Sequence, residues 1–378
     1  MILVSENDSR STKLSLPRSL AIAGAWGYIG RKFLDAALRL RVSTRVFDPA
    51  PAPPNLDLSQ IELFEDEAAF FHSEAEIFHL ATQPQHRRRG LTWLLQRPPQ
   101  QLPLILNEKP MAPPNEPAEC ARIEQAVRAA GATMLFDFPE LYDELTDRML
   151  EYLGQFRSVE ITEAFVTRSK DREDPALPRN FKPMFPIQYQ ESVHCLAFLL
   201  HILGRLRGSV EEVLNAGGSV AAESEPYLPP NPEAYASPVD GRCQFHLTIG
   251  ALRAGGDTNF KRGAPWAKRR ELRGLADGRP FEIVVDYLEG KKRLSINGEA
   301  QDVDPNACSY EQVLRKAWQW HREAGGAAID RGVYPNPRFA RYVYQLASVL
   351  WRSAQDRSQL DIRSAEDLLG FDAGFPAG

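Results

Sequence analysis

Short apolar runs alternate with segments of helical spacing through the first third of the chain. Ser19-Leu20-Ala21-Ile22-Ala23 has the length and composition of a buried strand, and it ends in Gly24-Ala25-Trp26-Gly27-Tyr28-Ile29-Gly30. From Arg31 to Leu40 the apolar residues Phe33, Leu34, Ala37 and Leu38 recur at helical intervals, predicting a helix. Thr44-Arg45-Val46-Phe47 predicts the next strand, closing on Asp48-Pro49. The Pro- and Ala-rich stretch from Pro49 to Pro54 predicts a loop. Further strands are expected from Ile77 to Thr82, Leu104 to Leu106 and Thr133 to Phe136, with helices around Leu91 to Leu95 and from Glu116 to Ala130, the latter stopped by Gly131. This alternation predicts an α/β fold, with a doubly wound parallel sheet over residues 17–140.

Beyond residue 140 the pattern changes to alternating polarity. Strands are expected from Val159 to Val166, Cys243 to Ile249, Phe281 to Tyr287 and Arg293 to Ile296, and Asp277-Gly278 and Asn297-Gly298 mark hairpin turns. Residues 141–378 therefore read as a second α/β domain with an open, mainly antiparallel sheet. Helices from Ser192 to Leu203, Tyr310 to His321 and Arg338 to Ala354 are expected to cover part of that sheet, and a subunit partner the rest. Residues 1–16 are polar and aperiodic, as in a flexible N-terminal arm.

Composition narrows the function classes. Forty-five Lys and Arg against 50 Asp and Glu give a net charge of −5, without the basic excess of a nucleic-acid binder. No apolar run approaches the roughly 20 residues of a membrane helix, and Met1-Ile2-Leu3-Val4 is cut off by Ser5-Glu6-Asn7-Asp8 before a signal core forms. The expectation is a cytoplasmic protein with neither nucleic acid nor membrane as partner. Cys120, Cys195, Cys243 and Cys308 show no Cys-x-x-Cys spacing and are expected as reduced thiols. The histidines are scattered, so no metal site is expected, and no Gly-x-Ser-x-Gly elbow supports hydrolase chemistry.

The glycine segment carries the first chemistry. Its glycines permit a tight turn and close approach of backbone N–H groups to a pyrophosphate, which the following helix N-terminus also attracts. Read on Gly-x-Gly-x-x-Gly it gives Ala25-x-Gly27-x-x-Gly30, with Gly24 one place early. Asp48, at the end of the second strand, stands where a carboxylate accepts hydrogen bonds from the adenosine ribose and repels a 2′-phosphate. NAD is thereby favoured over NADP, with Arg45 the one nearby residue arguing the other way. Trp26 is placed to pack against the adenine or to fill the domain.

Three further elements, Ala81-Thr82-Gln83-Pro84-Gln85-His86, Glu108-Lys109-Pro110 and His194, follow in order. With the glycine segment they give a chain that resembles the glucose–fructose oxidoreductase/inositol dehydrogenase (Gfo/Idh/MocA-like) oxidoreductases over nearly its whole length. The resemblance implies a nicotinamide cofactor bound by Gly24, Trp26, Gly27, Tyr28, Ile29, Gly30 and Asp48, with Thr82, Pro84 and His86 passing its ribose and nicotinamide side. It implies that Glu108 sits at the cofactor ribose and that Lys109 lies beside the nicotinamide and touches the substrate hydroxyl. His194 matches the family's general base. Relatives usually carry Asp-x-Gly-x-His here, whereas this chain has Gln190 and Ser192 at the Asp and Gly positions, leaving Glu191 as the acid able to reach the same face.

The implied reaction is hydride transfer between the nicotinamide and a secondary alcohol or carbonyl of a sugar, sugar acid or nucleotide-sugar-like substrate, in a homodimer or homotetramer. The Arg168-to-Asp174 segment, with Arg179 and Lys182, borders the substrate in the family. It reads either as a cationic seat for an anionic group or as a solvated charged loop, and Arg168, Gln190 and Glu191 join Lys109 and His194 as substrate-side candidates. The altered histidine motif also admits a reductase of a non-sugar carbonyl or imine, or a silent dinucleotide-binding sensor or scaffold.

Overall fold

Leu20, Ala21 and Ile22 have no exposed surface, because their strand runs through the middle of a sheet covered on both faces. The computed structural model describes residues 16–54 and 56–375, so the arm expected over 1–16 lies, apart from Leu16, outside the described residues. The first sheet comprises β1 (Ser19–Ala23), β2 (Ser43–Phe47), β3 (Ile61–Phe64), β4 (Ile77–Leu80), β5 (Leu104–Glu108) and β6 (Thr133–Asp137) in the order β3-β2-β1-β4-β5-β6. All neighbours are parallel, and Ala23 is in register with both Phe47 and Leu80. Strand order reverses between β1 and β4, and a crevice opens beyond their carboxyl ends, as expected at such a switch point.

The helices of this half are α1 (Tyr28–Arg39), α2 (Glu67–His72), α3 (Arg88–Leu95) and α4 (Pro117–Ala130). Helix α1 begins three residues earlier than its apolar spacing suggests, because Gly27 is the N-cap and the last three glycine-segment positions already belong to its first turn. Gly131 ends α4 with φ of 66°, a conformation glycine adopts without a Cβ penalty. Strand β3 and helix α2 were not anticipated. β3 is a four-residue edge strand with no buried residue, so it lacks the apolar run that marks a central strand.

The second sheet is built from β7 (Val159–Ser169), β8 (Gly218–Pro226), β9 (Asp240–Ile249), β10 (Leu252–Asn259), β11 (Arg269–Ala276), β12 (Arg279–Asp286), β13 (Arg293–Ile296), β14 (Glu299–Ala300) and β15 (Leu360–Ile362). Their order is β14-β13-β12-β11-β7-β10-β9-β8-β15, and only β7 and β10 run parallel. Asp277-Gly278 joins β11 to β12 with φ of 48° and 78°, and Asn297-Gly298 joins β13 to β14 with 52° and 83°, the backbone the hairpin signals demand. β10 escaped notice because Gly255 and Gly256 interrupt it. The ring of Phe245 occupies the space of a Gly256 side chain, whose Cβ would lie 2.0 Å from the ring.

The remaining helices are α5 (Glu144–Leu153), α6 (Val193–Arg207), α7 (Val210–Asn215), α8 (Ser309–Arg331, broken at Gly325), α9 (Pro337–Asp356) and α10 (Ala365–Leu369). α6 and α9 pack on the second sheet, as their apolar faces suggest. The expectation for Tyr310 to His321 needs correction: α8 crosses to the first sheet and packs on β5, β6 and α1, with the Tyr310 and Phe33 rings 5.2 Å apart. Ion pairs lace the opposite, open face of the second sheet, including Arg273 with Glu282 at 2.8 Å and Arg242 with Asp257 at 3.0 Å. All four cysteines are free. No helix among the described residues is long and apolar enough to cross a membrane.

Candidate functional site

The glycine segment forms one wall of the crevice. Gly24 has φ of 82°, and a Cβ there would lie 2.8 Å from Thr82 Cγ2. A Cβ on Gly30 would lie 2.1 Å from the Gly24 carbonyl oxygen, so this glycine lets α1 close onto β1. The first turn of α1 has neither a side-chain cap nor an acidic residue, which leaves its N–H groups to an anion from outside the chain. Asp48 is fixed at the edge of this wall, its Oδ2 accepting from Trp26 N at 2.9 Å and its Oδ1 from Ala50 N at 3.0 Å. These features fit a dinucleotide.

A cavity of about 570 Å³ joins this wall to the end of β5, the end of β7 and the start of α6. Gly24, Gly27, Tyr28, Ile29, Asp48, Thr82 and His86 line its first wall, and Glu108, Lys109, Arg168, Gln190, Glu191 and His194 line the rest. Trp26, Gly30 and Pro84 stand behind the lining. Trp26 packs on the core, Gly30 sits at the helix–strand contact, and buried Pro84 opens the turn that carries His86.

Lys109 precedes a cis peptide bond to Pro110, and the loop that carries it is held by a residue the sequence did not flag. Buried Arg87 donates from Nε to Thr82 O at 2.8 Å, and from Nη1 to Pro110 O at 2.9 Å and to Glu108 O, tying the two cavity loops together. The Lys109 ammonium donates to the Gln190 carbonyl, bridging the two halves of the molecule. Burial pushes the Lys109 pKa down and Arg168 adds to this, while Glu191 and Glu108 oppose it. Behind Lys109, Glu108 and Asp137 are register partners on β5 and β6. Burial raises both carboxyls, Asp137 furthest because the Glu108 charge adds to it. Buried His79, pushed down to about 3 by desolvation, is neutral and lies 3.0 Å from Glu108 through Nε2.

His194 follows a π-helical turn, Gln188–Ser192, at the head of α6. Its Nδ1 lies 3.2 Å from Glu140 Oε2, out of line for a hydrogen bond. Burial and Arg168 hold the imidazole well below its usual pKa, so it is neutral near pH 7 and able to accept a proton. Glu191 is turned away from this ring. It pairs with Arg168 Nε at 2.5 Å and with Lys170, and Arg168 reaches Glu140 with its other arm. Arg168 and nearby His194 hold the Glu140 carboxyl well below the usual range despite its burial.

No family model and no curated protein matches the sequence. Solved structures do match along nearly the full length. A levoglucosan dehydrogenase in complex with NADH and L-sorbose is 14% identical with a TM-score of 0.66, over 91% of this chain and 98% of that one. A myo-inositol dehydrogenase from Corynebacterium glutamicum is 12% identical with a TM-score of 0.64, over 92% and 99%. This is the fold of the Gfo/Idh/MocA-type oxidoreductases. A transcriptional regulator matches as well: Gal80p from Kluyveromyces lactis is 10% identical with a TM-score of 0.64, over 92% and 95%. Function on this fold therefore has to be argued from the site. Glu140, Asp137 and Arg87 are the residues sequence reasoning missed. Glu140 and Asp137 had a signal, since Phe136-Asp137-Phe138-Pro139-Glu140 ends the last strand of the first sheet, at its ligand-binding edge. Arg87 had none.

Proposed function

We propose that this protein is a nicotinamide-dependent oxidoreductase, NAD-preferring, that interconverts a secondary alcohol and a carbonyl of a small sugar-like molecule. The observation that carries this reading is the meeting of Lys109, just after β5, and His194, at the head of α6, in the cavity that opens onto the uncapped turn of α1. A bound nicotinamide would accept or donate the hydride at its C4. Lys109, with its depressed pKa and its hold on Gln190, orients the substrate oxygen and relays its proton. Neutral His194 takes that proton in oxidation and returns it in reduction, and Glu140 stabilises the imidazolium. Asp48 supports NAD over NADP, and Arg45 is engaged by Glu62 at 2.9 Å rather than free for a 2′-phosphate. Residues 17–140 act as the cofactor domain and 141–378 as the substrate domain. A cytoplasmic homodimer or homotetramer joined through the open sheet face, where Phe165 is exposed, completes the reading.

Calorimetric titration with NADH and with NADPH tests the cofactor, and turnover of a panel of sugars, sugar acids and non-sugar carbonyls tests the chemistry. Tight NADH binding with Lys109-dependent turnover is expected; absence of binding to cofactor-free protein overturns the proposal. One observation favours a second reading, a dinucleotide-binding sensor: Gln190 stands where the resemblance calls for a carboxylate. NADH binding without turnover of any panel member would select it.

A further inference from the structure

The segment after β7 alternates in sign, Lys170-Asp171-Arg172-Glu173-Asp174, and the structure sorts the two signs by direction. Its acids bind neighbouring loops: Asp171 accepts from Gly263 N at 2.7 Å, and Glu173 accepts from Leu228 N at 2.8 Å and Arg262 N at 2.9 Å. Its cations line the cavity. The backbone of Arg172 is fixed on both sides, its N–H donating to Phe260 O at 2.9 Å and its carbonyl accepting from Tyr227 Oη at 2.9 Å. The charged loop is a built wall rather than a solvated one.

Eight arginines and lysines line the cavity against four acids. Several are spent internally: Arg168 and Lys170 on Glu191, Arg87 on backbone carbonyls. Among the described residues, Arg172, Arg179 and Lys182 form no ion pair and no side-chain hydrogen bond. The Arg172 side chain is nonetheless buried, at 4% exposure, with Nε unpartnered, and Arg179 stacks on Trp266 at 4.5 Å with its own Nε buried and unpartnered. Lys182 keeps surface open at the mouth, yet desolvation by the walls, with Arg172 and Lys109 nearby, pushes it down to about 8. Glu191 is the acid felt by both Arg172 and Lys182, and it is already paired with Arg168 and Lys170, so like charges gathered in this partly desolvated space cost stability unless an anion joins them.

We propose that Arg172, Arg179 and Lys182 form an anion subsite for a carboxylate or phosphate carried by the substrate, so that the molecule turned over is an acidic or phosphorylated sugar-like compound rather than a neutral one. This rests on the oxidoreductase reading for its reaction and on the cationic wall alone for its binding. A planar guanidinium takes two oxygens of such a group, and Lys182 supplies a mobile point charge at the entrance.

Calorimetry on the full chain tests it, using glucose 6-phosphate, gluconate and glucose as probes, first with NADH saturating and then without it. The expected result is binding of both anionic probes roughly 10-fold or more tighter than glucose. Arg172→Gln and, at the more open position, Lys182→Gln should remove that preference while NADH affinity stays within about two-fold. Equal affinity for the three probes overturns the subsite. Variants that weaken NADH and leave the probe preference intact also overturn it, by assigning the cations to the cofactor's phosphates. If NADH fails to bind, the oxidoreductase reading falls by itself, and the anionic probes on the free protein, with the same variants, still decide the subsite.

Discussion

His194 Nδ1 and Glu140 Oε2 lie 3.2 Å apart in a buried pocket, and they come from opposite halves of the chain. The carboxylate that accompanies the candidate base is thus supplied from the end of the first sheet, not from Glu191 in the turn that leads into its own helix, and position 190 holds an amide. Glu140 raises the imidazole pKa against the burial that lowers it. Glu140→Gln keeps the shape and removes the charge, so kcat should fall on the order of 10²-fold, and the acidic limb of the pH profile should move to lower pH as the imidazole becomes harder to protonate. An unchanged limb would make Glu140 a purely structural residue.

Lys109→Ala should lower kcat by roughly 10²- to 10⁴-fold and leave NADH affinity nearly intact. Single-turnover kinetics with a competent substrate checks this. Wild-type turnover in a folded variant would remove Lys109 from the chemistry.

Arg87 holds three carbonyls, of Thr82, Glu108 and Pro110, and none of its contacts is with a carboxylate. Arg87→Met leaves those acceptors unsatisfied, at a cost of about 2–3 kcal/mol in urea unfolding, and frees the Lys109 loop. Arg87→Lys should not restore it, since an ammonium cannot span the same fork. A lysine variant as stable and active as wild type would refute this account.

Gly30→Ala should destabilise by about 1–3 kcal/mol, because the new Cβ meets backbone that has nowhere to move. NADH affinity should drop with it as the turn is pushed off β1. Thermal unfolding and NADH titration of the variant read the two effects separately.

His201 is buried, donates from Nδ1 to Val333 O at 3.0 Å, and is pushed down to about 3 by desolvation. Between that value and 6.5 the unfolded chain binds a proton that the folded protein does not. Its contribution is whole above 6.5 and is lost as pH falls through this window, by up to about 1.4 kcal/mol per pH unit. His79 acts in the same direction. Urea unfolding at about pH 7 and about pH 5.5 should show a smaller loss for His201→Gln than for wild type; equal losses would exclude His201 as a source.

Local pattern alone determined a good deal of this protein. Strand length and helical spacing around Ser19–Phe47 specify a parallel unit because apolar period and turn glycines act over a few residues, and Asp-Gly and Asn-Gly specify hairpins for the same reason. Lys109, His194 and the glycine segment were legible through a resemblance of short motifs. Tertiary structure decided what depends on distant chain. It sent α8 to the first sheet, gave His194 the carboxylate of Glu140 across 54 positions, and made Arg87 the brace of two loops. It also sorted Asp171 and Glu173 from Arg172, which no sequence spacing separates, because only the packed loops offer the acids N–H partners and leave the cations facing a cavity. Burial and pairing, which set each charge's energy, exist only once the chain has folded.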